Sequence, residues 1–189
     1  MRAQPTLTTD RLVLRPCAAE DAEALQRLVS DIEIARGTLS IPHPYPEGGA
    51  VEWVAKHAER FENGDEVVFG LFTRDGGQLV GVMGIVPKDH DRGEIGYWVG
   101  VPFWGRGYAT EAGRAVLRYG FEELGLNRIE AAHFANNPAS GRVMQKIGMK
   151  HEGRLREAVK KWNQYLDTEM YAILRREWMS DETPATPVE

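Results

Sequence analysis

A strand-like run that breaks on glycines and restarts at once as a helix constrains this chain more than any other feature. Residues 94–101 read as a strand, and Gly100-Val101-Pro102-Phe103-Trp104-Gly105-Arg106-Gly107-Tyr108-Ala109 forms a turn. From 107 to 124 the period becomes helical, with Ala109, Ala112, Val116, Gly120 and Leu124 on one face and Gly125 as the stop. Glycines leave backbone N–H groups uncovered, and a helix start adds roughly half a positive charge. The junction therefore suits an anion, a phosphate or pyrophosphate first, with Arg106 as a bidentate donor. Two familiar phosphate loops do not fit. A dinucleotide fingerprint needs glycine where Thr110 stands, and a P-loop needs Lys and Ser/Thr where Arg106 and Gly107 stand. A strand–helix turn with no ligand carries the same glycines.

Around this junction the periodicity predicts strands at 11–15, 67–73, 78–86, 128–135, 150–160 and 165–174. It predicts helices at 18–31, 51–63 and from Asn137-Pro138 to Gly148. Ala22, Leu25, Val29 and Ile32 make the first helical stripe; Val51, Val54, Ala58 and Phe61 make the second. Arg74-Asp75-Gly76-Gly77 marks a hairpin and 88–93 a second turn. The order is β-α-α-β-β-β-α-β-α-β-β. The fold class is α/β (α+β): one mixed, mostly antiparallel sheet of about seven strands with about four helices, and one parallel crossover. A single domain spans 8–176, with 1–7 and 180–189 as flexible termini.

Composition narrows the functions. The chain has 189 residues and a formal net charge of -5, from 23 Lys and Arg against 28 Asp and Glu. No basic block suits a nucleic-acid backbone, so no nucleic-acid partner is expected. No apolar run reaches the ~20 residues of a membrane span, so no membrane is expected. The first nine residues lack a secretory apolar core, which makes the cytoplasm the expected compartment. The single cysteine, Cys17, reads as a small buried hydrophobe, and no Cys/His spacing suits a metal.

The runs Glu94-Ile95-Gly96-Tyr97-Trp98-Val99 and Trp104-Gly105-Arg106-Gly107-Tyr108-Ala109-Thr110-Glu111-Ala112 resemble GNAT-superfamily N-acetyltransferases. The likeness is greatest to the ribosomal-protein-alanine (RimJ/RimL-like) branch. Arg11-Leu12-Val13-Leu14-Arg15-Pro16, Asn137-Pro138-Ala139-Ser140, Lys146-Ile147-Gly148-Met149, and Tyr165 with Asp167 extend it in order over 8–176. The resemblance implies a sheet splayed at the site of acetyl-CoA, the co-substrate, with no metal. Pantetheine would pair with backbone groups of Val99 and Val101, and the pyrophosphate would sit on Gly105, Gly107, Tyr108 and Ala109 beside Arg106. Asn137 would bond pantetheine. Where the superfamily often has Gln or Arg, this chain has Pro102, which offers no N–H.

Acetyl transfer to an amine needs a neutral nucleophile, a polarised thioester carbonyl and a proton for the leaving thiolate. Glu94 is the expected base, and a backbone N–H on the strand of Val99 the expected polariser. Many superfamily enzymes place a tyrosine where Met144 stands, so Ser140 is the expected acid, on one helical face with Asn137. Both residues also read as helix caps. His133 reads as a satisfied core or cleft histidine and Glu111 as dipole support. Tyr45, Trp98 and Tyr165 are candidate acceptor-side residues, although aromatics at such spacings also serve cores.

The expected partner is an amine, a protein N-terminus or a small molecule, taken by a monomer or homodimer. The alternatives are a catalytically inactive acyl-CoA-binding module, a transferase of another acyl group such as succinyl, and a degenerate phosphate-binding NTPase.

Overall fold

The computed structural model describes residues 3–182. Eight strands form one sheet in the order β1-β2-β3-β4-β5-β6-β8-β7. They are β1 (Leu7–Thr8), β2 (Leu12–Arg15), β3 (Val67–Thr73), β4 (Leu79–Lys88), β5 (Arg92–Val99), β6 (Arg128–Phe134), β7 (Lys150–Lys161) and β8 (Gln164–Leu174). Six helices accompany them: α1 (Ala22–Val29), α2 (Ile32–Gly37), α3 (Gly49–Asn63), α4 (Tyr108–Glu122), α5 (Pro138–Lys146) and α6 (Arg175–Glu182). Every neighbouring pair is antiparallel except β5 with β6. This is the mixed, mostly antiparallel sheet expected, with one strand more than about seven.

The extra strand is β1, where Leu7 and Thr8 pair with Leu14 and Val13. Gln4 also donates to the Val68 carbonyl at 2.7 Å, so residues assigned to a flexible terminus lie against the sheet. At the other end α6 continues past residue 180, and 183–189, the rest of the expected tail, lie outside the described residues.

Two helices differ from the periodic reading. The run 18–31 holds a short 3-10 turn and α1, and Asp31 then starts α2 with an extended backbone and a side chain accepting from the Glu33 N–H. α2 lies beyond the expected 18–31 helix: the Asp31 N-cap falls inside the stripe, so Ile32, counted with the first helix, belongs to a second one. α3 is rotated from its expected phase: Val51 is 59 % exposed while Ala50 is fully buried, and Trp53, Val54 and Phe61 face the core. The turn after β4 is also tighter than 88–93, with His90 and Asp91 at positive φ between two longer strands.

The core lies between the central strands and α1 and α4, where Phe69, Leu71, Met83, Ile85, Leu117 and Ile129 are fully buried. Each such side chain contributes about 1.5–3 kcal/mol by leaving water. Cys17 is half-buried, and burial pushes its thiol up to about 12. Among the described residues no helix is long and apolar enough to cross a membrane.

Candidate active site

β5 and β6 run together only at Arg92↔Arg128, Gly93↔Ile129 and Glu94↔Glu130, and then part. Beyond that apex the edge of β5 lacks a strand partner. Gly100 donates its N–H to Val80 across β4 at 2.9 Å. Strand alternation therefore turns the N–H and C=O of Val99 toward the split. The Val99 carbonyl is already taken by the indole N–H of Trp104 at 2.6 Å, which leaves the Val99 N–H for a guest. Val101 offers no such edge. It opens a 3-10 turn, its carbonyl accepts from the Trp104 N–H at 3.2 Å, and it stands outside the cleft walls. Extended pairing at Val101 is thus not preformed.

The glycine turn is built for its conformation. Gly105 and Gly107 have φ of +74° and +81°, a region that glycine enters without cost. The first hydrogen bond of α4 runs from the Glu111 N–H to the Gly107 carbonyl at 3.0 Å, so the N–H groups of Tyr108, Ala109 and Thr110 precede it and point out of the helix start. The turn is braced from below. Arg11 donates to the Arg106 carbonyl at 2.9 Å and pairs with Glu111 at 2.6 Å. Thr9 Oγ1 and the Arg11 N–H both donate to Glu111 Oε1. Arg106 itself lies over the Phe103 ring and outside the cleft walls, so a bidentate contact from it is not preformed.

The Glu111 carboxyl is held below the usual carboxylate range: burial alone would raise it, and the hydrogen bonds from Thr9 and Arg11 with the Arg11 charge outweigh that. A depressed folded value means the stabilisation is complete above the unfolded value near ~4.3 and is lost as pH falls through the folded one. Glu111→Gln is expected to flatten the acid limb of stability between about pH 5 and about pH 2. Urea midpoints across that range check it, and parallel profiles for both proteins would refute it.

The split, the glycine turn and the start of α5 enclose one cleft of about 640 Å³, a size typical of small-molecule sites. At its inner end Tyr97 and Ser140 meet. Their hydroxyl oxygens are 2.7 Å apart, and the Tyr97 hydroxyl also lies 3.1 Å from the Ser140 carbonyl. Asn137 caps α5, its Oδ1 accepting from the Ser140 N–H. Burial pushes the Tyr97 phenol up to about 12, the Ser140 hydrogen bond pulling the other way. Tyr97 therefore keeps its proton through the physiological range.

The structure brings Trp98, Val99, Gly105, Gly107, Tyr108, Ala109, Asn137 and Ser140 to this cleft. It leaves other candidates outside. Glu94 sits at the apex, ion-paired with Lys88. Tyr45 packs on the core beside Gly49. Tyr165 is 62 % exposed at the start of β8, with Lys160 over its ring. His133 is buried, but only Nδ1 is paired, with the Phe134 carbonyl at 2.8 Å; Nε2 has no partner among the described residues and abuts Gly141.

Sequence reasoning missed Tyr97 as a site residue and missed Lys161. The Lys161 ammonium is buried at the tip of the β7–β8 hairpin, and it donates to the carbonyls of Thr38, Leu39 and Ile41. That ties the hairpin to the segment following α2; Gly37, the last residue of α2, and Thr38 line the cleft.

A sheet opened along one parallel pair, with helix-start amides and a hydroxyl pair lining the opening, suits acyl transfer. The comparisons agree. Residues 11–150 match the family model described as "Acetyltransferase (GNAT) domain". The chain is 34 % identical over 173 residues to "Uncharacterized N-acetyltransferase YoaA" of Bacillus subtilis (strain 168), covering 90 % of this chain and 97 % of the relative. It superposes on an acetyltransferase (GNAT family) structure from Bacillus anthracis with TM-score 0.80 and 29 % identity, over 91 % of this chain and 99 % of that one. A RimL structure, the ribosomal L7/L12 alpha-N-protein acetyltransferase in complex with coenzyme A, shares the fold at TM-score 0.82 and 19 % identity, over 90 % of this chain and 98 % of that one. The chain belongs to the GNAT acetyltransferase family and is an acyltransferase.

Proposed function

We propose that this enzyme transfers an acetyl group from acetyl-CoA to a primary amine, a protein N-terminal α-amine or a small amine, by direct transfer within a ternary complex. One observation carries the reading: the unpaired edge of β5 and the open amides of α4 lead through a single cleft to the Tyr97–Ser140 pair. The donor set fits the group, since N–H groups at a helix start suit a diphosphate and a free strand N–H suits an amide-bearing arm. Among the relatives, RimL has a ribosomal protein as acceptor, which supports the α-amine reading of the RimJ/RimL-like resemblance.

Bound acetyl-CoA would supply an activated thioester, with coenzyme A as the leaving thiolate. The chain's own groups do the rest. The amides of Tyr108, Ala109 and Thr110 bind the diphosphate, and the Val99 N–H orients the arm. Ser140 Oγ–H gives its proton to the departing sulfur and takes back the second proton of the attacking nitrogen, while the Tyr97 hydroxyl stays neutral and steadies Ser140 Oγ by a hydrogen bond. Glu94, at the apex and outside the cleft walls, takes the proton of the acceptor ammonium through water.

Glu94→Gln is expected to lower kcat at neutral pH by about 10²-fold, the low end for a lost acid–base group. The loss shrinks as rising pH deprotonates the amine unaided. An unchanged rate at neutral pH removes Glu94 from the mechanism. The function itself is tested by thiol release from acetyl-CoA and from succinyl-CoA over a panel of amines and N-terminal peptides. Acetyl-dependent release with an acetylated amine by mass spectrometry is expected. Coenzyme binding without turnover on any amine would leave an acyl-CoA-binding module, and preference for succinyl-CoA would move the acyl group.

A further inference from the structure

α2 ends at Gly37 and α3 starts at Gly49, so residues 38–48 form neither helix nor strand. The start of this segment is a wall of the cleft. Gly37 and Thr38 line it, and a Cβ on Gly37 would stand 3.3 Å from Asn137 Nδ2, so the end of α2 meets the α5 cap beside Ser140. From Leu39 to Pro44 the only hydrogen bonds among the described residues come from one side chain. The Lys161 ammonium donates to the Leu39 and Ile41 carbonyls at 3.2 and 2.9 Å, and to the Thr38 carbonyl just before them. Lys161 is 8 % exposed. An ammonium has three N–H donors and no acceptor, so all of its capacity is spent on this segment. The arm that carries Lys161 has a fixed shape. Arg156, Glu157 and Ala158 of β7 stand opposite Asp167 alone of β8, a bulge of the kind that bends a strand. The Asp167 carboxylate closes the bulge, accepting from the Glu157 N–H at 2.7 Å and from Arg154 Nε at 2.8 Å. Beyond it Trp162 and Asn163 take positive φ values of 47° and 63°, as a tight two-residue hairpin turn requires.

In the reading above, the coenzyme takes the α4 amides and the free edge of β5. A ternary complex then leaves the α2 wall of the cleft for the amine. We propose that Lys161 is a positioning residue for the acceptor: by holding 38–41 it fixes the wall of Gly37 and Thr38 against which the amine is set for attack on the thioester. The inference rests on the acetyl-transfer reading and deepens it. Lys161 does not itself touch the acceptor, because none of its donors is left over. It acts through the backbone it holds. A wall fixed in advance spares the acceptor the cost of ordering it on binding, so the effect falls on acceptor binding rather than on the chemical step. A fixed wall also excludes amines of the wrong shape, which a loose one would admit.

Lys161→Met keeps an unbranched apolar stem and removes all three donors. Steady-state kinetics with the best amine of the panel at saturating acetyl-CoA, and calorimetry with coenzyme A, test the proposal. The acceptor KM is expected to rise about tenfold or more, in keeping with lost hydrogen bonds from a charged group. kcat should stay within about threefold and coenzyme A affinity within about twofold. The preference between the best and the poorest amines should narrow, and amide exchange at 38–41 should quicken. Should Lys161→Met not fold, Lys161→Gln, which keeps two N–H donors and loses the charge, is expected to raise the acceptor KM about threefold. An unchanged acceptor KM, whatever the melting temperature, would reduce Lys161 to a support of the fold and overturn the proposal, leaving acetyl transfer standing. Coenzyme A affinity that weakens as far as the acceptor's would place the wall on the coenzyme side and overturn it too. Turnover of no amine by the unsubstituted chain would overturn the acetyl-transfer reading along with it.

Discussion

Ser140→Ala is expected to lower kcat by roughly 10²-fold or more while leaving the affinity for coenzyme A within about twofold, because it removes a proton donor and no binding contact. Ser140 has two roles in the structure. Its backbone N–H completes the Asn137 cap, and its hydroxyl faces Tyr97. Alanine keeps the first and deletes only the second, so the cap and the fold should persist. Tyr97→Phe removes the second donor of the pair and should cost less, about tenfold, because Ser140 can then draw on water. The pH profile separates this relay from a titrating acid. With its phenol raised to about 12 by burial, Tyr97 remains a neutral donor at any working pH. The wild-type rate should therefore show no alkaline limb between about pH 7 and about pH 10. A limb that disappears in Tyr97→Phe would show that Tyr97 does titrate there and would sink the relay. Wild-type turnover in Ser140→Ala would remove Ser140 as the acid.

The parts of the site that are legible in sequence are those whose signals are local. Gly105 and Gly107 stand where the backbone must take positive φ, and Asn137-Pro138 is a cap with its following residue. Both follow from a few adjacent residues. Tyr97 is different. In sequence it is one residue of an alternating strand, and its partner lies 43 positions on. Only the crossover through α4 and the divergence of β5 from β6 make them neighbours. Lys161 has no local signal either, since a lysine at a hairpin tip is ordinarily solvated, and the carbonyls that receive it lie more than a hundred residues earlier. The carboxylate of Glu94 was legible as a residue type at a strand start but not as a position. Whether a strand residue lies at the apex or on the wall depends on where pairing stops, and that is decided across the sheet. The phase of α3 was lost for a related reason. Ala50 and Val51 are both apolar, and α1, not the stripe, selects which of them is covered.

Gly81→Ala is expected to be the most destabilising single-methyl addition at the site, by about 3 kcal/mol. Gly81 of β4 lies opposite Val99 in the ladder. A Cβ there would stand 2.4 Å from the Trp98 carbonyl oxygen and 2.9 Å from Val99 Cα. Both are backbone atoms, so no side chain can rotate away; β4 and β5 must separate. For a chain of this length the melting temperature should fall by about 6–12 °C. The strand that moves is the one presenting the Val99 N–H to the cleft, so coenzyme affinity should weaken along with stability. Gly96→Ala is the control. It lies on β5 and is exposed, with no heavy atom within 4 Å of the added carbon, so its effect should stay within about 0.5 kcal/mol. Thermal unfolding of the two variants beside the parent, with calorimetry on each, reads both consequences. A Gly81→Ala protein that melts with the parent and binds as tightly would mean that β4 and β5 do not approach as described, and the split edge of β5 would have to be placed anew.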